Sequence, residues 1–532
     1  MGNQLLASKI VIDEEAPQQR TIAALPMAIV GAVGIAERGP VGSAVLVASF
    51  QEYVDTFGAF TPNSDLALAL CGFFGNGGQV AWVVRVVHYT NTGDPTSKTS
   101  KAATLTLKDR AAAPLDTLRV DGKWDGAYGN DLQVIVGIPT SGAANELNLI
   151  VLDNGLIVET FPNLSMDPAS PRYVEAVVND IAAGSHLIVV TDLLSATAAP
   201  GNLPALGTSA LLTGGDDGLA GLADTDFTGS AAGQMGLHAF DTVLAMTILI
   251  VPGRATAGVH NAMIAYCETT RDKGCFAVLD PPAHQSAVGI IAYADTTAAL
   301  LGLSELGALY WPRVQVLNPS TTVFGNSATL VVPPSGHIAG VFARIDGSRP
   351  GGVFIPPAGI ENGVLQGVVG FETDEVLDEA KRDLVFPKRI NPLTAFSGAP
   401  RHIDGARTLK GDGNFPTVAE RRGVSFIEQS LKVGLLFAKH RNNTEALRAQ
   451  VSRSVEAFLL VQLKNGAFAS TDPKTAYFVD FGDTLNPPSV AAAGQLVGRI
   501  GLATAKPAEY IVLRISQDTR ALDAELTAAA GG

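Results

Sequence analysis

The sequence predicts a multidomain protein of mixed α+β and α/β class, with a mostly β domain inserted into an α/β body and an extended arm at each end. Three observations predict it. Residues 21–92 and 206–375 alternate short apolar strand patterns with helical ones, as strands joined through helices do. Residues 93–205 carry alternating strand patterns separated by turn residues. The chain has 532 residues, of which 47% are apolar, and that length accommodates roughly three to four domains.

Residues 1–20 read as an arm. Ile10, Val11 and Ile12 form a short strand pattern ahead of Asp13, Glu14, Glu15 and Pro17, and little here can be buried locally. Such an arm frays or adds to another subunit's sheet. From Thr21 the first compact part begins, with an apolar run over 27–35 and a strand over 44–48. Ser49 and Glu52, three apart, match a capping box and start a short helix that ends near Gly58. Asn63, Ser64 and Asp65 can cap a second helix with Leu66, Leu70, Phe73 and Phe74 on one face, stopped by Gly75, Gly77 and Gly78. Residues 80–87 are apolar on both faces and predict a central strand.

Residues 90–105 are rich in Thr, Ser, Asn and Gly and mark a boundary. Inside the 93–205 domain, Asp153, Asn154 and Gly155 between two strand patterns are a hairpin signal, and 171–181 predicts a helix. The 206–375 domain predicts a buried strand over 243–251, a helix over 260–270 and a strand over 275–279. The 376–505 domain holds two amphipathic helices. The first carries Phe426, Ile427 and Leu431; the second carries Leu447, Val451, Val455, Phe458 and Leu459 on one face. A turn-rich gap with Pro473, Pro487 and Pro488 follows. The 506–532 arm opens with Lys506 and Pro507. In it Tyr510, Ile511, Val512, Leu513, Arg514 and Ile515 alternate and predict a strand.

Only 17% of the residues are charged and the net charge is −14, which argues against a nucleic-acid binder. The charge is uneven. Residues 381–464 hold 15 Lys and Arg against 7 Asp and Glu, a net of +8, so the remainder carries −22. A basic domain in an acidic protein suggests a face that meets an acidic partner, although solvated helix faces produce the same count. Cys71, Cys267 and Cys275 make an odd number with no C-x-x-C pair, which fits a reducing compartment without a disulfide frame or a zinc site. The opening residues have no basic or apolar leader, and no apolar run reaches membrane-spanning length, so neither a secretory signal nor a membrane span is expected.

Nothing in the motifs asks for catalysis or a cofactor. No phosphate-binding loop, zinc-protease helix, nucleophile elbow or calcium loop is present. Asp216 and Asp217 lie between glycines and read as a tight turn before a cation site, because neighbouring side chains diverge. His337, close to Ser335, reads as part of a turn feeding a helix, with no third group to make it a base.

Three strings in the last domain resemble contractile tail sheath proteins of myophages, R-type pyocins and related injection systems: RRGVSFIEQSLKVGLLFAKHRNNTEALRAQVSRSVEAFL, TLNPPS and KPAEYIVLRI, in that order. Upstream, ERGPVGSAVLVASFQEYVDTFG, FFGNGGQVAWVVRVV, GAYGNDLQV, ETFPNLSMDPASPRYVEAVVND, LTGGDDG and PPSGHIAGVFARID are similar to segments of the same family. The resemblance implies an α/β sheath core built from the N- and C-terminal parts of the chain, with the 93–205 domain inserted. It implies stacked hexameric rings around an inner tail tube protein, ending on a baseplate and a tail terminator, in a virion tail or injection particle assembled in the bacterial host cytoplasm. In that family the C-terminal domain is innermost. Lys432, Lys439, His440, Arg441 and Arg448 are therefore the candidate tube contacts, with Arg421, Arg422 and Arg453 basic neighbours. Ile10 to Ile12 and Tyr510 to Ile515 are the candidate strands shared between subunits. A static ring or shell protein, and an acidic α/β enzyme with an unrecognised site, are the alternatives.

Overall fold

The computed structural model describes residues 21–372, 379–396 and 398–513. Ile10, Val11 and Ile12 of the N-terminal arm, and Arg514 and Ile515 of the C-terminal one, lie outside the described residues.

The body is organised on an 8-stranded sheet in the order His402–Ile403, Ile390–Thr394, Gly307–Trp311, Phe276–Leu279, Ile248–Ile250, Ile29–Gly34, Val80–Arg85, Ala44–Val47. The inner strands run parallel, and the strand at each edge is antiparallel to its neighbour. Chain segments from before and after the inserted domain thus share one sheet. Side chains alternate between its faces, as the pleat requires. Val30, Ile248, Val278 and Tyr310 enter one core, covered by the helices Leu66–Gly75 and Ser335–Ser348. Val33, Leu249, Leu279 and Trp311 enter the other, covered by Ala257–Ala265 and Ala287–Ala292. With both faces buried, the strands read as continuous apolar runs.

The two helices on the first face cross closely because glycines line the contact. A Cβ on Gly336 would stand 2.0 Å from the Ala69 carbonyl oxygen, and one on Gly340 2.5 Å from that of Phe73. The strand expected over 243–251 is confined to Ile248–Ile250. Val243 and Met246 instead fold under the sheet, where Met246 fills the space left by the missing side chain of Gly31.

The inserted part has its own core and two antiparallel sheets. One is Thr104–Lys108, Asp116–Gly122, Ile188–Asp192; the other is Ser209–Leu211, Leu132–Gly137, Glu146–Asp153, Leu156–Ser165. Ser209–Leu211 lies past the boundary drawn at 205 but pairs with Leu132–Gly137, so the second sheet needs the chain as far as that strand. The hairpin turn at Asn154 and Gly155 has φ of 48° and 80°, the conformation that Asn-Gly supplies at low cost. The helix expected over 171–181 is reduced to Val174–Val178. The Asn179 side chain bonds both backbone groups of Val190, and the Asp180 carboxylate accepts from the N–H groups of Ala182 and Ala183. These local bonds compete with further helix.

The last domain packs the helices Val418–Gly434 and Glu445–Lys464 against an antiparallel pair, Tyr477–Asp480 with Arg499–Leu502. Leu447, Val451, Val455, Phe458 and Leu459 are all buried on one face of the second helix. Ile22 and Met27 join this core from the start of the described chain.

Candidate functional site: the assembly surfaces

Thr417 caps the first of these helices. Its hydroxyl oxygen accepts from the Glu420 N–H at 3.3 Å and donates to the Glu420 carboxylate at 2.8 Å. The other Glu420 oxygen accepts from Thr504 at 2.9 Å, which ties the helix start to the chain beyond the strand pair. Past Thr504 the chain is anchored at Glu509, held by Arg407 through Nε at 3.0 Å and Nη2 at 2.6 Å, and at the Tyr510 hydroxyl, which accepts from Arg407 Nη2 at 3.3 Å. The Arg407 guanidinium also lies 3.7 Å over the Phe386 ring. From there Tyr510, Ile511, Val512 and Leu513 run outward, 71–82% exposed, with no strand partner among the described residues.

The basic residues separate into two groups. Arg421 and Arg422 are buried and engaged internally. Arg421 pairs with Glu428 at 2.7 Å, and Arg422 pairs with the buried Asp346 and lies 4.6 Å over the Phe342 ring. They hold the helix Val418–Gly434 to the body and are not surface groups. Lys432, Lys439, His440 and Arg441 are exposed. Lys432 reaches the exposed Asp272 at 2.8 Å, Arg441 donates to Gln450 at 3.1 Å, and His440 takes a left-handed φ of 64°. Arg448 donates to Asp483 at 2.7 Å and to Asn443 at 3.2 Å, bracing the loop after Tyr477–Asp480. The structure thus brings Lys432, Lys439, His440 and Arg441 to the end of the first helix and the connection that follows it, and sets Arg448 inward of them.

Sequence reasoning passed over Arg407, Glu509, Asp272 and Asp483. Glu509 falls in the string KPAEYIVLRI, but no spacing rule links it to Arg407, 102 positions away.

The two chemical candidates resolve into structural contacts. Asp216 accepts from the Gly218 N–H at 2.8 Å and Asp217 from the Ala127 N–H at 2.8 Å, so the pair closes a turn. Ser335 spends its hydroxyl and its N–H on Asp280, both at 2.7 Å. Burial pushes His337 down to about 4, which leaves it uncharged near neutrality. Among the described residues no group of three or more His, Cys, Asp or Glu is placed to hold a metal ion, and no helix is long and apolar enough to cross a membrane.

Residues 231–409 match the family model of the phage tail sheath protein central domain. Over this stretch the chain is similar to the tail sheath proteins. That matched stretch supplies the parallel strands from Ile248–Ile250 to Ile390–Thr394 and the helix Ser335–Ser348. The sheath fold extends over almost the whole chain. The contracted helical sheath of the anti-feeding prophage superposes with a TM-score of 0.57 at 19% identity, covering 96% of this chain and 99% of that one. The contracted sheath complex of an extracellular contractile injection system, PVC, gives 0.55 at 18% identity, covering 97% and 98%. The sheath tail protein of Desulfitobacterium hafniense gives 0.55 at 13%, covering 89% and 93%. No curated protein sequence matches the chain.

Proposed function

We propose that this chain is the structural subunit of a contractile tail sheath. It polymerises as stacked hexameric rings around an inner tube, and contraction drives the tube through a target envelope, as in genome ejection or delivery by an injection particle. The match of residues 231–409 to the sheath central domain carries the reading. The exposed apolar run at Tyr510 to Leu513 and the uneven charge support it. The role is structural rather than enzymatic, and the proposed partners are further copies of the chain, the tube protein, the baseplate and the terminator. Assembly takes place in the bacterial host cytoplasm.

Rings that slide and rotate during contraction must stay joined, and shared strands do this. Among the described residues the pair Tyr477–Asp480 and Arg499–Leu502 is two strands wide, a size that is marginal alone and that further strands can extend. We assign the two arms, Ile10 to Ile12 and Tyr510 to Ile515, to such edges on neighbouring copies. A six-residue strand adds about 4–6 backbone hydrogen bonds at a net ~1 kcal/mol each. Contraction then needs no nucleotide, provided the extended lattice is kinetically trapped and the contracted one buries more surface.

Negative-stain microscopy of the expressed full-length chain tests the reading. Rings or hollow helical sheaths, including a short wide form, are expected. Monomers at every concentration, or closed particles of one fixed length, would overturn it.

A further inference from the structure

Cys267 and Cys275 are both buried, and their Sγ atoms lie 2.7 Å apart. A disulfide requires about 2.05 Å, so a movement of well under 1 Å would bring the sulfurs to bonding distance. Cys267 sits in the π turn Tyr266–Thr270, and Cys275 immediately precedes the central strand Phe276–Leu279. The intervening loop is folded back between them. The Lys273 N–H donates to the Cys267 carbonyl at 3.0 Å and the Gly274 N–H to the Arg271 carbonyl at 2.8 Å. Arg271 is buried and donates to the carbonyls of Phe240, Leu244 and Met246 at 3.0–3.1 Å. The same loop seats the helix Val418–Gly434. The Gln429 amide donates to the Asp272 carbonyl at 2.9 Å, and Lys432 reaches the Asp272 carboxylate at 2.8 Å.

We propose that Cys267 and Cys275 are an oxidisable pair that closes to an intrachain disulfide under hydrogen peroxide, stapling the loop on which the first C-terminal helix sits. One thiol loses its proton to water, and its thiolate attacks a peroxide oxygen. The O–O bond breaks, hydroxide leaves, and a sulfenic acid forms. The second sulfur then displaces that hydroxyl as water, giving up its own proton, and the S–S bond forms. Two electrons pass from the sulfurs to peroxide, which ends as two waters. Burial holds the Cys267 thiol well above its ordinary range, so reaction waits on brief loop opening and suits a small neutral oxidant.

The full chain has three cysteines, and Cys71 is exposed. Purified protein is treated with hydrogen peroxide, denatured without reductant, alkylated and weighed intact. The untreated chain should take three labels and the treated chain no more than one. Trypsin cuts after Arg271 and Lys273, so the product should contain separate Cys267 and Cys275 peptides joined through sulfur, and a thiol reductant should restore three labels. In a Cys71→Ser chain the count should fall from two to none, and the oxidised sample should melt a few degrees above its reduced counterpart. Retention of both labels at Cys267 and Cys275, a bond to Cys71 in place of the internal one, or sulfinic acid at either residue would overturn the proposal.

Discussion

Arg407 grips Glu509 through Nε at 3.0 Å and Nη2 at 2.6 Å while its own planar group lies 3.7 Å over the Phe386 ring. Only 14% of the arginine side chain and 24% of the glutamate are exposed. The pair separates a docked chain from an outward-running one. Glu509→Gln keeps the shape and removes the charge-assisted bonds, which should weaken the seat by about 1–2 kcal/mol. Chymotrypsin cleavage at the exposed Tyr510 should then rise about 5- to 30-fold, with the melting temperature of the body unchanged. An unaltered cleavage rate would show that Glu509 does not anchor the arm.

The helix crossing gives a paired test on one element. Gly336→Ala drives a methyl into the backbone of Ala69, whose carbonyl oxygen is 2.0 Å from the new atom. A loss of about 3 kcal/mol or more is expected in urea unfolding of the monomer. Gly347 lies near the end of the same helix with nothing within 4 Å of an added Cβ. Gly347→Ala should therefore be neutral or stabilising by up to ~0.5 kcal/mol.

Asp280 makes the stability of the body depend on pH. Burial raises its carboxyl from 3.8 to about 7, against the opposing bonds from Ser335 and the charge of Arg313. The folded state therefore holds a proton that the unfolded state has released between about pH 4 and pH 7. This contribution is complete below the unfolded value and is lost as pH rises through the folded one. Asp280→Asn removes the titration, so the fall in stability between pH 5 and pH 8 should be smaller in the variant than in the parent. Urea titrations followed by the fluorescence of buried Trp311 measure the difference. Parallel pH curves would refute it.

Much of this was legible because burial is periodic. Leu447, Val451, Val455, Phe458 and Leu459 marked their helix by spacing, and Asn154-Gly155 marked its hairpin by the backbone it requires. What escaped depends on residues far apart. Arg421 and Arg422 read as surface groups, since no pattern shows that Asp346, 76 positions from Arg422, waits as a buried partner. The pairing of Tyr477–Asp480 with Arg499–Leu502 was hidden by short, half-exposed strands that carry a weak alternation. Strand order in the large sheet follows from contacts across the insertion, to which local propensity is blind.

The charge prediction separates folding from docking. Lys432 meets Asp272 with both side chains more than half exposed, and exposed pairs contribute about 0–1 kcal/mol. Lys432→Glu, Lys439→Glu and Arg441→Glu together should leave the fold intact by circular dichroism and melting. Particles assembled with the tube protein should then be sheaths without tube. Tube-filled particles of normal appearance would exclude these residues from docking.

The arm prediction isolates assembly from stability more sharply. Ile511 and Val512 are 82% and 77% exposed, so they contribute little to the monomer. Ile511→Asp with Val512→Asp should shift monomer stability by no more than about 0.5 kcal/mol. In a shared strand the same carboxylates would enter a neighbour's sheet and its apolar contacts, where an unpaired charge is strongly disfavoured. Polymer should disappear, as it should on deletion from Pro507 onward, leaving soluble monomers by sedimentation. Full-length sheaths from either variant would mean that the lattice is held by other surfaces, and the exposed run from Tyr510 to Leu513 would need a different partner.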